Sequence, residues 1–312
     1  MNKCKFVFIG TGNFAAIILT ELVKNHYQPL LVVTSPDKKV GRQQLISPSP
    51  VKEVAQKHRL EILQPLKINK IYSKIKKLSL DLIIVTDYKQ IIPSDILKIP
   101  SKSSLNIHPS LLPLYRGPSP IQEVILKDEK KTGVTIIEMD EKIDHGPIVA
   151  QEKIKIQNPK ITYPELNETL AILGAKLLLK TIPLYLTGKI KSRPQDEKRA
   201  TYTKLITKND GRIIWSETAK FIERKIRAYY PWPGTYTFWQ GKLLKILEGE
   251  IYPNNFRLEP GRVFKTEMGE IAVATSEKSL IIKKLQLEGK NPTSGLSFLQ
   301  GYPQIIGSIL DH

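Results

Sequence analysis

The sequence predicts an α/β fold with a Rossmann-like open, mostly parallel sheet, followed by a small OB-like β-barrel domain. In the first half, short apolar runs such as Phe6–Ile9 and Leu80–Val85 alternate with amphipathic helical stretches. Runs that are apolar on both faces suit the strands of a sheet covered by helices, and the strand–helix rhythm favours parallel pairing. Beyond residue 205, short strand-like segments are separated by Gly, Pro and Asn, which is typical of a small barrel.

The individual elements follow from the same patterns. A helix from about Tyr163 to Leu186 ends the first region, because its leucines recur at helical spacing. Further strands are predicted at 30–33, 104–107, 134–139 and 148–154, the last two as candidates for antiparallel pairing, and helices at 17–23 and 51–58. The second region begins with a helix at 216–229 and continues with strands around 235–239, 243–247, 261–266, 271–275 and 280–287.

A polar, strongly basic stretch separates the two regions. It contains Lys189, Lys191 and Arg193, and its composition predicts an exposed linker. We therefore expect a first domain at 1–188, a basic linker at 189–205 and a barrel domain at 206–312.

The charge of the chain favours an anionic partner. The net charge is +18, and residues 1–205 hold 33 Lys and Arg against 19 Asp and Glu, whereas 206–312 hold 15 against 11. Nucleic acid is the first candidate for such a partner, and liberal use of lysine on solvated surfaces is the alternative.

Cysteine content and hydropathy bear on the compartment. Cys4 is the single cysteine, so no disulfide can form within the chain, which favours a reducing compartment. The N-terminal apolar run lacks a small-residue cleavage site and is interpreted as a strand. No sequence run approaches the roughly 20 apolar residues of a membrane span. We expect a cytoplasmic protein without a membrane partner.

A glycine-rich turn follows the first predicted strand. Gly10 to Ala15 approximates the pattern G-x-G-x-x-A, and Asp37 follows a second strand at a suitable distance for the ribose of a dinucleotide. Such turns are common in doubly wound folds because the chain must turn tightly there. An NAD-dependent dehydrogenase therefore stays among the alternatives.

The most specific pattern combines an amide, an imidazole and a carboxylate. Asn106 and His108 are two positions apart at the end of a predicted strand, so both side chains point to one face, at the edge where open α/β sheets bind ligands. Downstream, Asp144 lies in a turn-like setting before Gly146. Each residue alone is more often structural, and the combination predicts a catalytic site.

The run from Asn106 to Gly117, together with Thr132–Thr135 and Asp144–Gly146, resembles the folate-dependent formyltransferase superfamily. The resemblance covers nearly the whole chain and is closest to the branch that formylates methionyl-tRNA. Matching segments of the second region are 210–215, 226–237, 285–290 and 298–302. Two segments depart from the family pattern, namely Gly12–Asn13, where Pro-Asp or Pro-Glu is usual, and Asp87–Lys89, where Ala-Tyr-Gly is usual.

The resemblance implies a reaction and a set of functional residues. It implies formyl transfer from 10-formyltetrahydrofolate to the α-amine of initiator methionyl-tRNA, by a monomer acting in translation initiation. The implied catalytic residues are Asn106, His108 and Asp144. The implied folate contacts are Ser110, Leu111, Leu112 and Pro113, with Tyr88 and Ile91, and the implied tRNA contacts are Lys38, Lys39, Arg42, Lys189, Lys191 and Arg193.

Two further alternatives remain beside the dehydrogenase. A formyltransferase acting on an amino-sugar nucleotide would share the same three catalytic residues, and a non-catalytic RNA-binding protein could retain the fold. No metal site is expected, because His26, His58, His145 and His312 are scattered without metal-ligand spacing.

Overall fold

The computed structural model describes residues 4–40, 45–253 and 258–310. The chain divides into two compact units. The first takes the described residues of 1–120, 131–155 and 166–203, and the second takes those of 121–130, 156–165 and 204–312.

Strands and helices alternate in the first half and strands dominate the second. The strands are β1 Phe6–Ile9, β2 Leu31–Val33, β3 Lys38–Val40, β4 Leu45–Ser47, β5 Ile62–Leu63, β6 Leu82–Val85, β7 Ser103–His108, β8 Lys131–Glu138, β9 Ile148–Lys155, β10 Thr235–Trp239, β11 Lys242–Tyr252, β12 Val263–Lys265, β13 Ile271–Ala274, β14 Ser279–Leu287 and β15 Thr293–Ser294. The helices are α1 Asn13–Lys24, α2 Pro50–Lys57, α3 Tyr72–Lys76, α4 Ser94–Leu97, α5 Pro120–Leu126, α6 Tyr163–Leu186, α7 Ala219–Tyr229 and α8 Gly295–Gly301.

The first unit is built on a seven-stranded sheet with the order β5-β2-β1-β6-β7-β8-β9. Strands β5, β2, β1, β6 and β7 are parallel to one another, and β8 and β9 are antiparallel additions. The predicted open, mostly parallel sheet is confirmed. The strand order reverses between β1 and β6, and ligands bind at the carboxyl ends of the strands near such a reversal.

Helix α6 is the core helix of this sheet. By length and composition alone this helix could cross a membrane. The apolar runs of the sequence did not predict a membrane span. Its residue Gly174 faces the sheet, and a Cβ built there would lie 3.1 Å from Ile107 and 3.3 Å from Val134. Leu170 and Leu178 are fully buried. This burial explains the apolar composition, because a helix packed on a sheet needs an apolar face.

The second unit contains the predicted barrel-like sheet. Its strands run antiparallel in the order β10-β11-β14-β13-β12, with β15 paired to β14. The core of the unit includes the fully buried Trp215, whose Nε1 donates to Thr237 Oγ1 at 3.2 Å. Arg224 and Arg227 of α7 donate to the carbonyl oxygens of Leu126 and Ile161, so two segments that precede the barrel in sequence join it in space.

The predicted linker is more ordered than its composition suggested. The Arg193 backbone exchanges two hydrogen bonds with Ile148 at the start of β9, and Thr201 and Thr203 pair with Arg116. The segment up to Thr203 therefore belongs to the first unit. Its cationic side chains are exposed while its backbone is hydrogen-bonded to the first unit. Composition alone does not distinguish such a paired segment from a free linker.

A carboxylate occupies the glycine-rich turn that suggested a dinucleotide site. Asp87 follows β6 with a φ of 47°, and its carboxylate accepts a hydrogen bond from the Gly12 backbone at the N-terminus of α1. A Cβ at Gly12 would lie 2.1 Å from Asp87 Oδ2. Asp87 thus takes the position that a phosphate would need at this helix N-terminus.

The second element of the dinucleotide hypothesis is also engaged. Asp37 binds Lys52 Nζ at 2.6 Å and Gln64 Nε2 at 2.7 Å. The hydrogen bond from Lys52, followed by that from Gln64, lowers the pKa of Asp37. The two acidic side chains argue together against a dehydrogenase.

We predict that Asp87→Asn stabilises the protein more at neutral than at acidic pH. Solvent reaches the Asp87 side chain, yet desolvation by the surrounding protein raises its pKa from 3.8 to about 6. Between these values the folded state binds more protons than the unfolded state, so this group's contribution to stability falls as the pH rises. Thermal melts at about pH 4.5 and 7.5 should show the melting temperature of the variant, relative to wild type, rising with pH.

The control for that experiment is Asp95→Asn, which removes one negative charge from an exposed position. A relative melting temperature of Asp87→Asn that stayed constant, or fell with pH, would contradict the assignment.

Candidate active site

Two polar side chains mark the carboxyl end of β7. Asn106 pairs with Val85 of β6 on one side and Ile137 of β8 on the other, and His108 pairs with Thr135. Because side chains alternate along a strand, Asn106 and His108 share one face. The sheet thereby brings both predicted residues to the same edge.

Asp144 reaches these residues from the loop between β8 and β9. Its Oδ1 accepts from Asn106 Nδ2 at 3.0 Å, and its Oδ2 accepts from the Gly117 backbone at 2.8 Å. Asp144 has a φ of 48°, a left-handed conformation that Asp tolerates better than most residues. The three predicted catalytic residues are therefore in one place, and the carboxylate is fixed by two donors.

The hydrogen bonds of His108 define its tautomer. The side chain is 5% exposed, and Nε2 lies 2.9 Å from the carbonyl oxygen of Tyr115. A carbonyl oxygen can only accept, so Nε2 carries a hydrogen. Nδ1 lies 3.5 Å from Asp144 Oδ2, which is longer than a usual hydrogen bond. Nδ1 is thus the ring nitrogen that is available to a substrate.

The loop predicted to contact folate is held by Thr135. Thr135 Oγ1 donates to the carbonyl oxygen of Ser110 at 2.6 Å and accepts from the Leu112 backbone at 3.1 Å. Gln151 Nε2 donates to Leu112 O at 3.0 Å. A Cβ at Gly133 would lie 2.6 Å from Leu111 Cδ2, so the loop lies close over β8.

The four loop residues differ in what they can offer a ligand. Ser110 is buried and its hydroxyl donates to Leu114 O at 2.6 Å, so this hydroxyl is already in use. Leu112 is buried in a small cluster with Ile137 and Ile148. Leu111 and Pro113 are only partly buried. The loop therefore presents chiefly the apolar surface of Leu111 and Pro113, because its main-chain carbonyl oxygens already accept hydrogen bonds within the protein.

The second predicted folate loop follows β6. Tyr88 packs against the apolar cluster of β1, β2 and β6, and burial raises the pKa of its hydroxyl. Ile91 is 78% exposed. Of these two predicted contacts, Ile91 offers its side chain to solvent, whereas the Tyr88 ring serves the core.

The predicted tRNA contacts lie on two exposed segments. Lys38 and Lys39 are exposed on β3, which pairs with β4 in a two-stranded ribbon that the sequence patterns did not predict. Lys189, Lys191 and Arg193 are exposed as well. Arg42 lies outside the described residues.

A network behind Asp144 was missed by the sequence-based predictions. Arg116 is fully buried, and its guanidinium binds Glu197 and Gln195. Hydrogen bonding to Glu197 raises the pKa of Arg116, and the same bond lowers the pKa of Glu197. Gln195 lies in the predicted linker, and a glutamine in such a polar segment does not indicate a functional role. Arg116 lies in the motif that resembles the family, so its charge could have indicated an acidic partner such as Glu197.

Metal-binding side chains do not cluster near this site. Within 4–40, 45–253 and 258–310, no group of three or more His, Cys, Asp and Glu side chains is arranged to hold a metal ion. His145, next to Asp144, instead has its Nδ1 2.5 Å from Asp140 Oδ2.

Solved structures with this fold include folate-binding and sugar-modifying proteins. HypX from Aquifex aeolicus, solved with tetrahydrofolic acid, matches 98% of this chain and 48% of its own with a TM-score of 0.64 at 18% identity, so this chain spans about half of that protein. An N-formyltransferase from Helicobacter canadensis, solved with folinic acid and dTDP-3-aminofucose, matches 89% of this chain and 98% of its own with a TM-score of 0.65 at 21% identity. At these identities the similarity establishes the fold alone.

Sequence relatives are much closer. A methionyl-tRNA formyltransferase from Chloroflexus aggregans is 40% identical over 95% of this chain and 97% of its own, and one from Bacillus cytotoxicus is 39% identical over 97% of each chain. Residues 4–182 match the formyl transferase family, and 205–303 match the formyl transferase C-terminal domain. This chain therefore belongs to the formyl transferase family, in the branch of the methionyl-tRNA formyltransferases.

Proposed function

We propose that the protein transfers the formyl group of 10-formyltetrahydrofolate to the α-amino group of initiator methionyl-tRNA in the bacterial cytoplasm. The observation that carries the proposal is the Asp144 carboxylate, fixed by Asn106 and Gly117 beside His108, in a chain whose relatives carry this activity over nearly their full length. This arrangement supplies hydrogen-bond donors and a proton acceptor at one point.

The acceptor amine needs little activation. An ordinary α-amine has a pKa of about 7.7–8.0, and esterification to tRNA lowers it further, so much of it is neutral near pH 7. The neutral nitrogen adds to the formyl carbon of the folate donor, forming a carbon–nitrogen bond and an oxyanion. The bond between that carbon and the folate nitrogen then breaks.

Asn106 and His108 are suited to stabilise the oxyanion. One Asn106 Nδ2 hydrogen is used on Asp144, which leaves the other for the substrate. His108 is anchored through Nε2, and its imidazolium form donates to the oxyanion through Nδ1. Removing one donor of this kind typically costs about 10²–10³ in rate.

Asp144 is suited to move the proton. The amine loses a proton after it attacks, and the folate nitrogen gains one as it leaves. A carboxylate at this position can accept the first proton and return it, directly or through water. The two donors on Asp144 hold its oxygens in place for both steps.

The surroundings of the site fit the two substrates. The partly buried Leu111 and Pro113 and the exposed Ile91 offer apolar surface to the folate. The exposed Lys38, Lys39 and the cations of 189–193 suit phosphates, whose contacts position a nucleic acid without reading its sequence. Contacts of this kind depend on salt because bound counterions are released.

An amino-sugar nucleotide is the second candidate acceptor, because the Helicobacter canadensis neighbour was solved with such a compound. We predict formyl transfer to purified initiator methionyl-tRNA, with little transfer to elongator methionyl-tRNA and none to dTDP-3-aminofucose. Radiolabelled 10-formyltetrahydrofolate and each acceptor in turn provide the assay. Transfer only to the sugar nucleotide would overturn the tRNA acceptor while preserving the catalytic assignment.

We predict that replacing Lys38 and Lys39 together by Gln raises the KM for tRNA and leaves the KM for folate unchanged. The slope of log KM against log salt should fall by about one for each tRNA phosphate that the variant no longer binds. Steady-state kinetics at several salt concentrations measure both effects.

Replacing Lys70 and Lys77 together by Gln is the matched control, because both are exposed lysines of the same unit outside the β3–β4 ribbon and two charges are again removed. If the Lys38 and Lys39 variant behaved like this control, β3 would have no part in binding tRNA.

A further inference from the structure

Gln195 joins two parts of the first unit that are far apart in sequence. Its Oε1 accepts from Arg116 Nε at 3.2 Å and from Nη2 at 2.8 Å. Its Nε2 donates to the carbonyl oxygens of Asp144 and Gly146, both at 2.8 Å. One side chain therefore links the buried arginine to the loop that carries the proposed proton acceptor.

This position requires an amide of this length. The oxygen must accept from a guanidinium, which can only donate, and the nitrogen must donate to carbonyl oxygens, which can only accept. A carboxylate could serve Arg116 but would oppose the carbonyl oxygens of the Asp144 loop. A lysine could donate to the carbonyl oxygens but could not accept from Arg116.

Arg116 gives Gln195 a rigid support. Its side chain is fully buried, and Nη1 and Nη2 contact Glu197 at 3.0 and 2.6 Å in a bidentate arrangement. The Tyr202 hydroxyl accepts from Nη1 at 3.0 Å. A guanidinium held by several partners loses little further freedom when it binds one more acceptor.

The Asp144 loop has a need for such a tether. Ile143 is 60% exposed, so little packing holds the residue before Asp144. Asp144 itself has a φ of 48°. The loop is fixed at its far end, where the Glu138 backbone donates to Pro147 O and a Cβ at Gly146 would meet Glu138 O. Gln195 adds a fixed point at Asp144 itself.

We infer that Gln195 is the positioning residue of Asp144, which holds the backbone of this residue so that its carboxylate meets Asn106 and Gly117. The expected effect on turnover rests on the proposed function. The expected effect on the order of the Asp144 loop rests on the hydrogen bonds alone. A small displacement of a reacting group can cost about 10²-fold in rate. Loss of Gln195 therefore affects turnover more than substrate binding.

The competing explanation is that Gln195 only fastens the 189–203 segment to the first unit. In that case its loss would lower stability or tRNA affinity and leave the chemical step intact. Turnover and KM, measured separately, distinguish the two explanations.

The experiment compares Gln195→Leu and Gln195→Glu with Asp196→Asn in the full-length protein. Asp196 is the exposed neighbour whose side chain accepts from the Lys198 backbone, so its substitution controls for change in the same segment. Amide hydrogen exchange of the peptide covering 139–147 reports on the Asp144 loop without any substrate. Formyl transfer to methionyl-tRNA at saturating substrates reports on turnover.

We expect faster exchange in 139–147 for both Gln195 variants, a kcat lower by about 10–100-fold and KM values within about threefold of wild type. Gln195→Glu should be impaired at every assay pH, because a carboxylate beside the Arg116 guanidinium stays ionised and has no hydrogen to donate. Asp196→Asn should match wild type in each measurement.

Unchanged exchange in 139–147, or a kcat within about twofold of wild type in both Gln195 variants, would overturn the inference. Gln195→Glu keeps the shape of the side chain and provides the decision if Gln195→Leu does not fold. If wild type transferred no formyl group to any acceptor, the proposed function would fail, and the exchange measurement would still decide the role of Gln195.

Discussion

The hydrogen bonds that fix the Asp144 carboxylate are the constraint on which the site depends. One comes from a side chain at the end of β7 and the other from a backbone amide in the loop after β7. The carboxylate can hold this position only if the β8–β9 loop returns to the same sheet edge. Strand β8 runs antiparallel to β7 and ends with Glu138 beside Leu105, so the loop has to fold back along β7 to bring Asp144 to Asn106.

Thr135 and Arg116 extend the same constraint outward. Thr135 pairs with His108 in the sheet and holds the 110–113 loop, so the loop and the imidazole share one support. Arg116 begins a second chain of contacts that reaches Asp144 through Gln195. Buried polar networks of this kind are stable only when each member has its partners, so a change at any member should be felt at the carboxylate.

Much of this arrangement could be predicted from the sequence. Asn106 and His108 are two apart on a strand, and strand alternation alone places them together. Apolar runs predicted the sheet, because a buried strand is apolar on both faces. Asp144 carried a weaker signal, since only its resemblance to a family motif linked it to residues 38 positions earlier.

Other features could not be predicted, for physical reasons. Gln195 contacts Arg116 across 79 positions and Asp144 across 51, and no local pattern encodes contacts at such separations. The segment around it was predicted to be a linker because its side chains are basic, although its backbone is paired. Asp87 departs from the family pattern, and it contacts Gly12 because β1 and β6 are neighbours in the sheet. This pairing joins residues about 75 positions apart, so no local pattern predicts the contact.

The most direct test of the role of Asp144 is the single-turnover rate of formyl transfer by Asp144→Asn, at saturating 10-formyltetrahydrofolate and methionyl-tRNA. The amide keeps the size of the side chain but cannot accept a proton. We expect a rate lower by about 10²–10⁴-fold, with both substrates still bound. A rate within about threefold of wild type would contradict the role of Asp144 as the proton acceptor of this site.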